Sequence, residues 1–366
     1  MSSPPPAAAA PEHAAFDHAG PGVAISVIMP VYNGEEVLPR SLPPLVTMRG
    51  AGEIAEIIVV DDGSTDASTE LARGYGVQLL RSGGRLGPGG ARNVAAPRAI
   101  GDVLWFVDAD VVVHDDAARV LRAAFSLTAA AAIFGSYDDR PPARNFLSQY
   151  KNLVHRYYHR RAAGDAETFW AGCGAVRKEI FLAVDGFDAA RYPYPSIEDI
   201  ELGWRLRQRG LSIALLPELQ GTHLKVWRLG NLLHTDIFRR ALPWSRLIHS
   251  RAGLADVLNV GAGERINAGL AFGALLSLAG AAVRLVPWWV PVVFVAAIAA
   301  GNRELFLFFY RARGAPFAMG AVLFHQLYYL YSAATFGWCW LEQRWASLRG
   351  RRRATVRESG ASDQGR

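Results

Sequence analysis

The chain contains only two cysteines among its 366 residues, Cys173 and Cys339. Two cysteines cannot supply a disulfide framework or a zinc site, so the composition indicates a protein of a reducing compartment. Lysine and arginine outnumber aspartate and glutamate by 39 to 33, but they form no stripe on a nucleic-acid-binding motif. Nucleic acid is therefore not an expected partner. Residues 1–22 are rich in proline and alanine and lack a charged segment followed by an apolar one, which predicts a disordered tail rather than a signal peptide.

Short apolar runs alternate with helix-like segments from residue 23 to about residue 216. Strands are predicted at residues 24–31, 56–61, 77–81, 103–108 and 131–135, and helices at residues 35–48, 68–74, 91–100 and 117–124. This alternation predicts an α/β fold with an open, mostly parallel, Rossmann-like sheet that carries helices on both faces.

Acidic residues follow two of the predicted strands. Asp108 and Asp110 come after the run 103–107, and residues 61–66 (DDGSTD) follow the run 57–60. Such residues are common in turns, but α/β sheets bind nucleotides at the carboxyl ends of parallel strands. Two carboxylates separated by one residue at such an end are suited to hold a divalent cation and present it to a diphosphate.

A glycine-rich stretch, residues 82–90, interrupts the series before a predicted helix. Its backbone N–H groups can cradle phosphate, but it lacks the Gly-Lys-Ser/Thr ending of a P-loop and the spacing of a dinucleotide fingerprint. A flexible connection across the sheet edge explains it equally well. Arg92 and Asn93, just inside the following helix, either reach a nucleotide or cap and solvate the helix.

In order and spacing, residues 27–33, 59–66, 91–93 and 108–110 resemble the family 2 glycosyltransferases over roughly the first two thirds of the chain. The resemblance implies a GT-A fold and the inverting transfer of a sugar from a nucleoside-diphosphate sugar, with Mg²⁺ or Mn²⁺ as cofactor. It also implies roles for single positions: Pro30, Tyr32, Asn33, Asp62, Arg92, Asn93 and Asp108 would bind the nucleotide sugar, and Asp108, Asp110 and His223 would bind the metal.

The same resemblance assigns the acceptor side of the site. Gly172, Cys173 and Gly174 match the small-residue acceptor loop of the family, and Asp199 matches its catalytic base, with Glu198 as the second choice. A helix-capping role for the acid also fits, because Ser196 and Asp199 have the spacing of a capping box. The two roles are compatible, since a helix N-terminus favours the ionised form that a base requires.

Two further features refine this expectation. His223 falls where many family members carry another metal or diphosphate ligand, although a lone histidine is more often structural. Residues 204–210 lack the Gln-x-x-Arg-Trp sequence of processive polysaccharide synthases, which indicates the transfer of a single sugar rather than polymerisation.

The C-terminal part of the sequence indicates contact with a membrane. Tryptophan and leucine alternate with arginine over residues 226–265, which predicts an interfacial amphipathic segment, or a helix that packs on the catalytic domain with its basic face in water. Apolar runs at residues 266–283, 286–300 and 316–341 predict two or three membrane helices between residues 266 and 341. A basic polar tail follows at residues 342–366. Three spans would place this tail outside, whereas it stays inside if the last apolar segment is re-entrant or lies along the membrane surface. The number of spans therefore stays open.

The sequence thus predicts a GT-A catalytic domain at residues 23–225 on the cytoplasmic side of a multi-pass inner-membrane protein. A lipid-linked acceptor is the expected partner, beside the nucleoside-diphosphate sugar and the bilayer. Two alternatives stay open: a transferase that extends an oligosaccharide or polysaccharide, and a non-catalytic scaffold that binds a nucleotide sugar. The set Asp108, Asp110 and Asp199 argues against a scaffold, which needs no base.

Overall fold

A computed structural model describes residues 23–250 and 262–362 of the chain, with the backbone alone at residues 250 and 346–362. Within these ranges the strands are β1 (Ile25–Val31), β2 (Glu56–Asp61), β3 (Gln78–Arg81), β4 (Val103–Val107), β5 (Val111–Val113), β6 (Ala132–Tyr137), β7 (Gly164–Asp165), β8 (Cys173–Arg177) and β9 (Ile213–His223). The predicted tail at residues 1–22 lies outside the described residues.

One twisted sheet contains all of these strands, in the order β3-β2-β1-β4-β8-β6-β9-β5, with β7 paired to β9. Strands β3, β2, β1 and β4 are parallel, as predicted. The rest of the sheet is more mixed than predicted, because β8 runs antiparallel between β4 and β6, and β9 pairs antiparallel with β5 and β7. The α/β fold class is confirmed.

Helices cover both faces of the sheet. They are α1 (Leu38–Gly50), α2 (Ser68–Gly74), α3 (Gly87–Ala95), α4 (Ala117–Leu127), α5 (Phe146–Arg161), α6 (Lys178–Ala183) and α7 (Glu198–Gln208). Successive residues of β1 point to opposite faces: Val27 packs with Leu42 and Leu121 in one core, whereas Ile28 packs with Ala95 and Phe106 in the other. Burial on both faces explains why the central strands are uninterrupted apolar runs.

Prolines decide where α1 begins. The sequence predicts this helix from residue 35, but it starts at Leu38, with Pro39 in the first turn and Pro43 and Pro44 inside. Proline is tolerated in the first turn because the N–H it lacks has no partner there.

Helices also form the C-terminal part. They are α8 (Leu229–His234), a π-helical segment (Thr235–Ala241), α9 (Leu242–Ser250), α10 (Ala262–Ala282), α11 (Val290–Gly301), α12 (Arg303–Arg313) and α13 (Ala315–Ser362). Much of the predicted interfacial segment therefore consists of α8, the π-helical segment and α9, while residues 251–261 lie outside the described part. Leu305 and Phe309 of α12 pack against Tyr150 and Leu153 of α5 in one buried cluster.

The membrane prediction is supported at fewer places than the sequence indicates. Among the described helices, α10 alone is long and apolar enough to cross a bilayer by itself. Helices α11 and α12 reach that length and hydropathy only as a pair, and the pair is bent by 81°. The predicted apolar run at residues 316–341 lies within α13, which does not meet the same criterion. One candidate span stands where two or three are predicted.

Candidate functional site

The predicted site residues meet at one edge of the sheet, at the mouth of a cleft of about 1310 Å³. The cleft begins at the ends of β1, β2 and β4 and continues past α7 and α5 to α10 and α13. Its lining includes these predicted residues: Pro30, Tyr32, Asn33, Asp62, Arg92, Asp108, Asp110, Gly172, Glu198, Asp199 and His223. Asn93, Cys173 and Gly174 do not line it.

Asp62 holds the glycine-rich stretch against the sheet. Its Oδ1 accepts a hydrogen bond from the backbone N–H of Leu86 and its Oδ2 accepts one from that of Gly87, both at 2.8 Å. The stretch is thus not a loop up to residue 90, as the sequence suggested, because α3 begins at Gly87 with Pro88 in its first turn. Gly87 has φ +75°, and an added Cβ would lie 2.6 Å from the backbone oxygen of Pro193. The glycine allows the two segments to approach closely.

Tyr32 is covered by a cation. The Arg85 guanidinium carbon lies 3.6 Å from the centroid of the Tyr32 ring, which is itself 39% exposed at the cleft. Asn33, at φ 50°, uses its Oδ1 to accept the backbone N–H of Thr65 at 2.8 Å, so it ties the end of β1 to the segment after β2. Arg85 was not predicted as a site residue, because its one signal in the sequence was its place in the glycine-rich stretch.

Arg92 connects the two acidic groups of the site. Its Nη2 lies 2.5 Å from Oδ1 of Asp108, and its Nη1 lies 3.7 Å from Oε1 of Glu198. The neighbouring Asn93 is directed elsewhere: its amide donates to the backbone oxygen of Phe187 at 2.7 Å and accepts the Phe187 N–H at 2.9 Å. Asn93 therefore positions the segment after α6 and does not line the cleft.

Asp110 and His223 face each other where β5 pairs with β9. The distance between Asp110 Oδ2 and His223 Nε2 is 3.5 Å. Burial opposes ionisation of Asp110, but the His223 imidazole and Lys225 hold the pKa of this carboxyl below its ordinary value. The pKa of Asp108 is raised, first by burial and then by the charges of Asp110 and Asp199, against the opposing effect of Arg92.

The predicted three-residue metal set is not assembled. In the part of the chain that the structure describes, no three His, Cys, Asp or Glu side chains group closely enough to hold a metal. Asp108 is occupied by Arg92, which leaves Asp110 and His223 as the facing pair. One carboxylate and one imidazole still fit a cation that takes its other ligands from water and a diphosphate.

Asp199 and Glu198 begin α7, but they are not part of a capping box. The residue before the helix is Ile197, no side chain caps the end, and Ser196 Oγ instead donates to the backbone oxygen of Arg239 at 2.8 Å. Asp199 Oδ2 accepts the backbone N–H of Ala171 at 3.1 Å. Burial raises the pKa of Asp199, and burial together with the Asp199 charge raises that of Glu198 to about 7. The ionised state expected from the helix end is thus opposed by burial.

The predicted acceptor loop is largely a strand. Cys173 and Gly174 belong to β8 in the middle of the sheet, where the Cys173 side chain is buried in the core. Gly172 faces the cleft, beside Trp170 and Phe169. Small residues suggested a loop, but Gly174 is small because an added Cβ would lie 2.2 Å from the backbone oxygen of Trp170.

Basic side chains line the far end of the cleft, and none of them was predicted as a site residue from the sequence. Lys151 of α5 lies 2.6 Å from Asp236 of the π-helical segment, and Arg239 and Arg240 lie on the same segment. The signal in the sequence was the alternation of arginine with tryptophan and leucine, which we interpreted as a membrane interface.

A mixed α/β sheet with acidic strand ends at the mouth of a long cleft is the arrangement expected of a GT-A fold. Residues 26–184 match the family model described as Glycosyl transferase family 2. This part of the chain is a family 2 glycosyltransferase domain, as the motifs predicted.

Two curated relatives have glycosyltransferase activities. The chain is 29% identical to the validoxylamine A glucosyltransferase of Streptomyces hygroscopicus subsp. limoneus over 238 residues, which cover 54% of this chain and 51% of that protein. It is 37% identical to the poly(ribitol-phosphate) beta-glucosyltransferase of Bacillus spizizenii over 99 residues, 25% of this chain and 16% of the relative. The chain therefore matches about half the length of the first relative and a smaller part of the second.

A solved structure shares the fold over most of the chain. The mannosyltransferase PcManGT from Pyrobaculum calidifontis, in complex with GDP-Man and Mn²⁺, superposes with a TM-score of 0.51 at 20% identity. The match covers 86% of this chain and 87% of that one, so it extends beyond residues 23–225. It confirms the predicted GT-A fold.

Proposed function

We propose that the protein transfers one sugar from a nucleoside-diphosphate sugar, with inversion, to an acceptor held in a membrane. The observation that carries this proposal is the continuity of the cleft. It extends from Asp108 and Asp110 at the strand ends, past Asp199, to Ala268 and Phe272 of the candidate span α10. An acceptor anchored in the bilayer can enter from the end at α10 and meet a donor bound at the strand ends.

Asp199 is suited to take the proton of the acceptor hydroxyl. It is the more accessible of the two acids at the start of α7, since Glu198 is only 5% exposed. The Ala171 N–H fixes its orientation, and its raised pKa brings it closer to the working pH, where a general base is most effective. Glu198, which faces Arg92, positions that arginine rather than the acceptor.

The donor end of the cleft is suited to a nucleoside diphosphate. Tyr32 and Arg85 offer a ring and a guanidinium plane to a base, and Pro30 lies beside them. Asp62 keeps the start of α3 near this end. Asp110 and His223 would hold Mg²⁺ or Mn²⁺, which would neutralise the diphosphate as it departs.

The relatives support the donor assignment more strongly than the acceptor assignment. PcManGT was solved with GDP-Man and Mn²⁺, and both curated relatives are named glucosyltransferases. We therefore propose a metal-dependent, non-processive transferase on the basis of the site, and a lipid-linked acceptor on the basis of the cleft. Helix α10 would anchor the protein in the inner membrane, with the catalytic domain in the cytoplasm.

Labelling of cell membranes tests the proposal. Membranes that contain the full-length protein receive radiolabelled UDP- and GDP-sugars with Mn²⁺ or Mg²⁺, and lipids are then extracted into organic solvent. We expect label in the organic phase with one donor, and none from membranes that carry Asp199→Asn.

The same experiment separates the alternatives. Label found only in water-soluble glycan would replace the lipid acceptor with an oligosaccharide or polysaccharide. Donor binding without turnover under any condition would favour the non-catalytic scaffold. Either result would overturn the proposed acceptor.

A further inference from the structure

The two ends of the cleft carry opposite charge. The end at the strands has six carboxylates (Glu36, Asp62, Asp108, Asp110, Glu198 and Asp199) against three cationic side chains (Arg85, Arg92 and Lys225). The end at α5 and the π-helical segment has three cationic side chains (Lys151, Arg239 and Arg240) against one carboxylate (Asp236), and the start of α10 adds one residue of each sign (Glu264 and Arg265). The acidic end suits a cation that carries a diphosphate, whereas the basic end has more cationic than acidic side chains.

Asp236 is shared among several partners at this basic end. It lies 2.6 Å from the Lys151 ammonium and 3.7 Å from the Arg240 guanidinium, and it also accepts the Tyr331 hydroxyl at 2.7 Å. Burial lowers the pKa of Lys151, and the Asp236 charge opposes this effect. The Asp236 carboxylate cannot neutralise both Lys151 and Arg240, so this partly buried site keeps a net positive charge.

Arg239 adds another positive charge close to the catalytic acids. Its backbone oxygen accepts the hydroxyl of Ser196, which precedes Glu198 by two residues. Its guanidinium carbon lies 4.5 Å from the Tyr194 ring centroid, and no carboxylate of the described residues lies within ion-pair distance of it. Arg240 also acts on the acids, since its charge opposes part of the rise that burial causes in the pKa of Asp199.

The backbone of this region directs these side chains into the cleft. Residues Thr235–Ala241 form a π-helical segment, and Thr235, Asp236, Arg239 and Arg240 all line the cleft. The wider turn of a π-helix brings positions four and five residues apart onto one face. Such segments are uncommon and occur frequently at functional sites.

We propose that Arg239 and Arg240, with Lys151 beside them, bind a phosphate group of the acceptor. The inference rests on the proposed function: the hydroxyl that meets Asp199 and the phosphate that meets the arginines belong to one amphiphile, whose apolar part extends towards α10. The planar guanidinium groups suit phosphate, which they bind through paired hydrogen bonds.

Binding of two matched amphiphiles to the full-length protein in phosphatidylcholine nanodiscs tests this subsite. Dodecyl phosphate and dodecanol share the alkyl chain and differ in the anion. We expect the protein to bind dodecyl phosphate and not dodecanol with measurable affinity. The double variant Arg239→Gln/Arg240→Gln should bind dodecyl phosphate roughly tenfold more weakly, because charge-assisted hydrogen bonds are lost.

Two further variants serve as controls. Arg303→Gln removes one positive charge from an exposed position outside the cleft and should bind dodecyl phosphate as the wild type does. Arg239→Lys/Arg240→Lys retains both charges but loses the paired hydrogen bonds, so it should bind more weakly than the wild type and more tightly than the glutamine variant. This order distinguishes loss of charge from misfolding.

Three results would overturn the subsite. The first is equal binding of the two amphiphiles, and the second is unchanged binding of dodecyl phosphate by the glutamine variant. The third is a glutamine variant that loses affinity for UDP or GDP alone. The last result would mean that the arginines serve the donor diphosphate. No sugar transfer takes place in this measurement, so it is independent of the lipid-labelling experiment. Labelled lipid without dodecyl phosphate binding would contradict the subsite but not the proposed function. Dodecyl phosphate binding without labelled lipid would contradict the proposed function alone.

Discussion

Nη2 of Arg92 lies 2.5 Å from Oδ1 of Asp108, and the arginine side chain is only 3% exposed. One buried guanidinium thus links the end of β4 to the start of α7, where Glu198 lies 3.7 Å from its other nitrogen. Because the closer contact is to Asp108, the arginine compensates only part of the burial of Glu198. The pKa of Glu198 is therefore raised, to about 7.

This raised pKa predicts a pH dependence of stability. The folded protein binds the Glu198 proton more tightly than the unfolded chain, whose pKa is near 4.5. The contribution of protonated Glu198 to the free energy of unfolding is fully present below about pH 4.5 and is lost as the pH rises through about 7. The free energy of unfolding of the wild type should fall over this window by roughly 3 kcal/mol relative to Glu198→Gln.

Urea denaturation at pH 4.5 and pH 8 measures this difference. Glu70→Gln is the matched control, since the Glu70 side chain is 68% exposed, and it should follow the wild type at both pH values. A Glu198→Gln variant that also follows the wild type would contradict the raised pKa.

Replacement of Asp199 by asparagine should abolish transfer but not donor binding. The amide keeps the size of the side chain and loses the ability to take a proton, which costs about 10²- to 10⁴-fold in rate. The rate of nucleoside-diphosphate release in the presence of acceptor measures the effect. Glu179→Gln, at an exposed position of α6, should be fully active. Normal turnover by Asp199→Asn would move the role of base to Glu198.

Asp110→Asn should raise the concentration of Mn²⁺ or Mg²⁺ needed for donor binding by at least about tenfold. The variant loses the carboxylate that faces His223 at 3.5 Å, and hard cations depend on charged oxygen ligands. Titration of the metal at a fixed concentration of nucleoside diphosphate measures the shift, and chelation by EDTA gives the baseline. Asp115→Asn, on the exposed turn after β5, should leave the titration unchanged. A metal requirement that is unaltered in Asp110→Asn would place the cation elsewhere.

Two glycines of the same stretch should respond differently to alanine. Gly87 has φ +75°, and an added Cβ would lie 2.6 Å from the Pro193 oxygen, whereas a Cβ at Gly84 meets no atom within 4 Å. The left-handed conformation alone costs a non-glycine residue about 1–2 kcal/mol. Gly87→Ala should therefore lower Tm and raise the KM for the donor, while Gly84→Ala should change neither. Equal Tm values for the two variants would show that the contact with Pro193 is not rigid.

The parallel half of the sheet was predictable because its strands are buried on both faces. Such strands are uninterrupted apolar runs, and the runs before Asp61 and Asp108 end at turn residues. Strands β8 and β9 gave no such signal. Strand β8 begins with small residues, and β9 contains Pro217 and alternates between buried and partly exposed positions.

The site was predictable as far as its motifs extend along the chain. Asp62, Asp110 and Asp199 meet at the cleft as their order and spacing indicated. Asp108 pairs with Arg92 because α3 packs beside β4, and no local sequence pattern indicates this packing. The meeting of Lys151 with Asp236 joins residues 85 positions apart in the sequence, so it follows from tertiary packing alone.

Helix α5 contacts both the sheet and the C-terminal helices. Its Arg156 donates to the backbone oxygen of Tyr137 at the end of β6, while its Gln149 accepts Nε of Arg313 at 2.7 Å. Its Tyr150 and Leu153 are covered by aromatic residues of α12 and α13. A fragment cut after residue 225 would expose Tyr150 and Leu153 to water and would remove Arg313, which donates to Oε1 of Gln149. The helices beyond the sheet thus form part of the protein's folded interior, and their removal would expose side chains that the sheet domain alone does not cover.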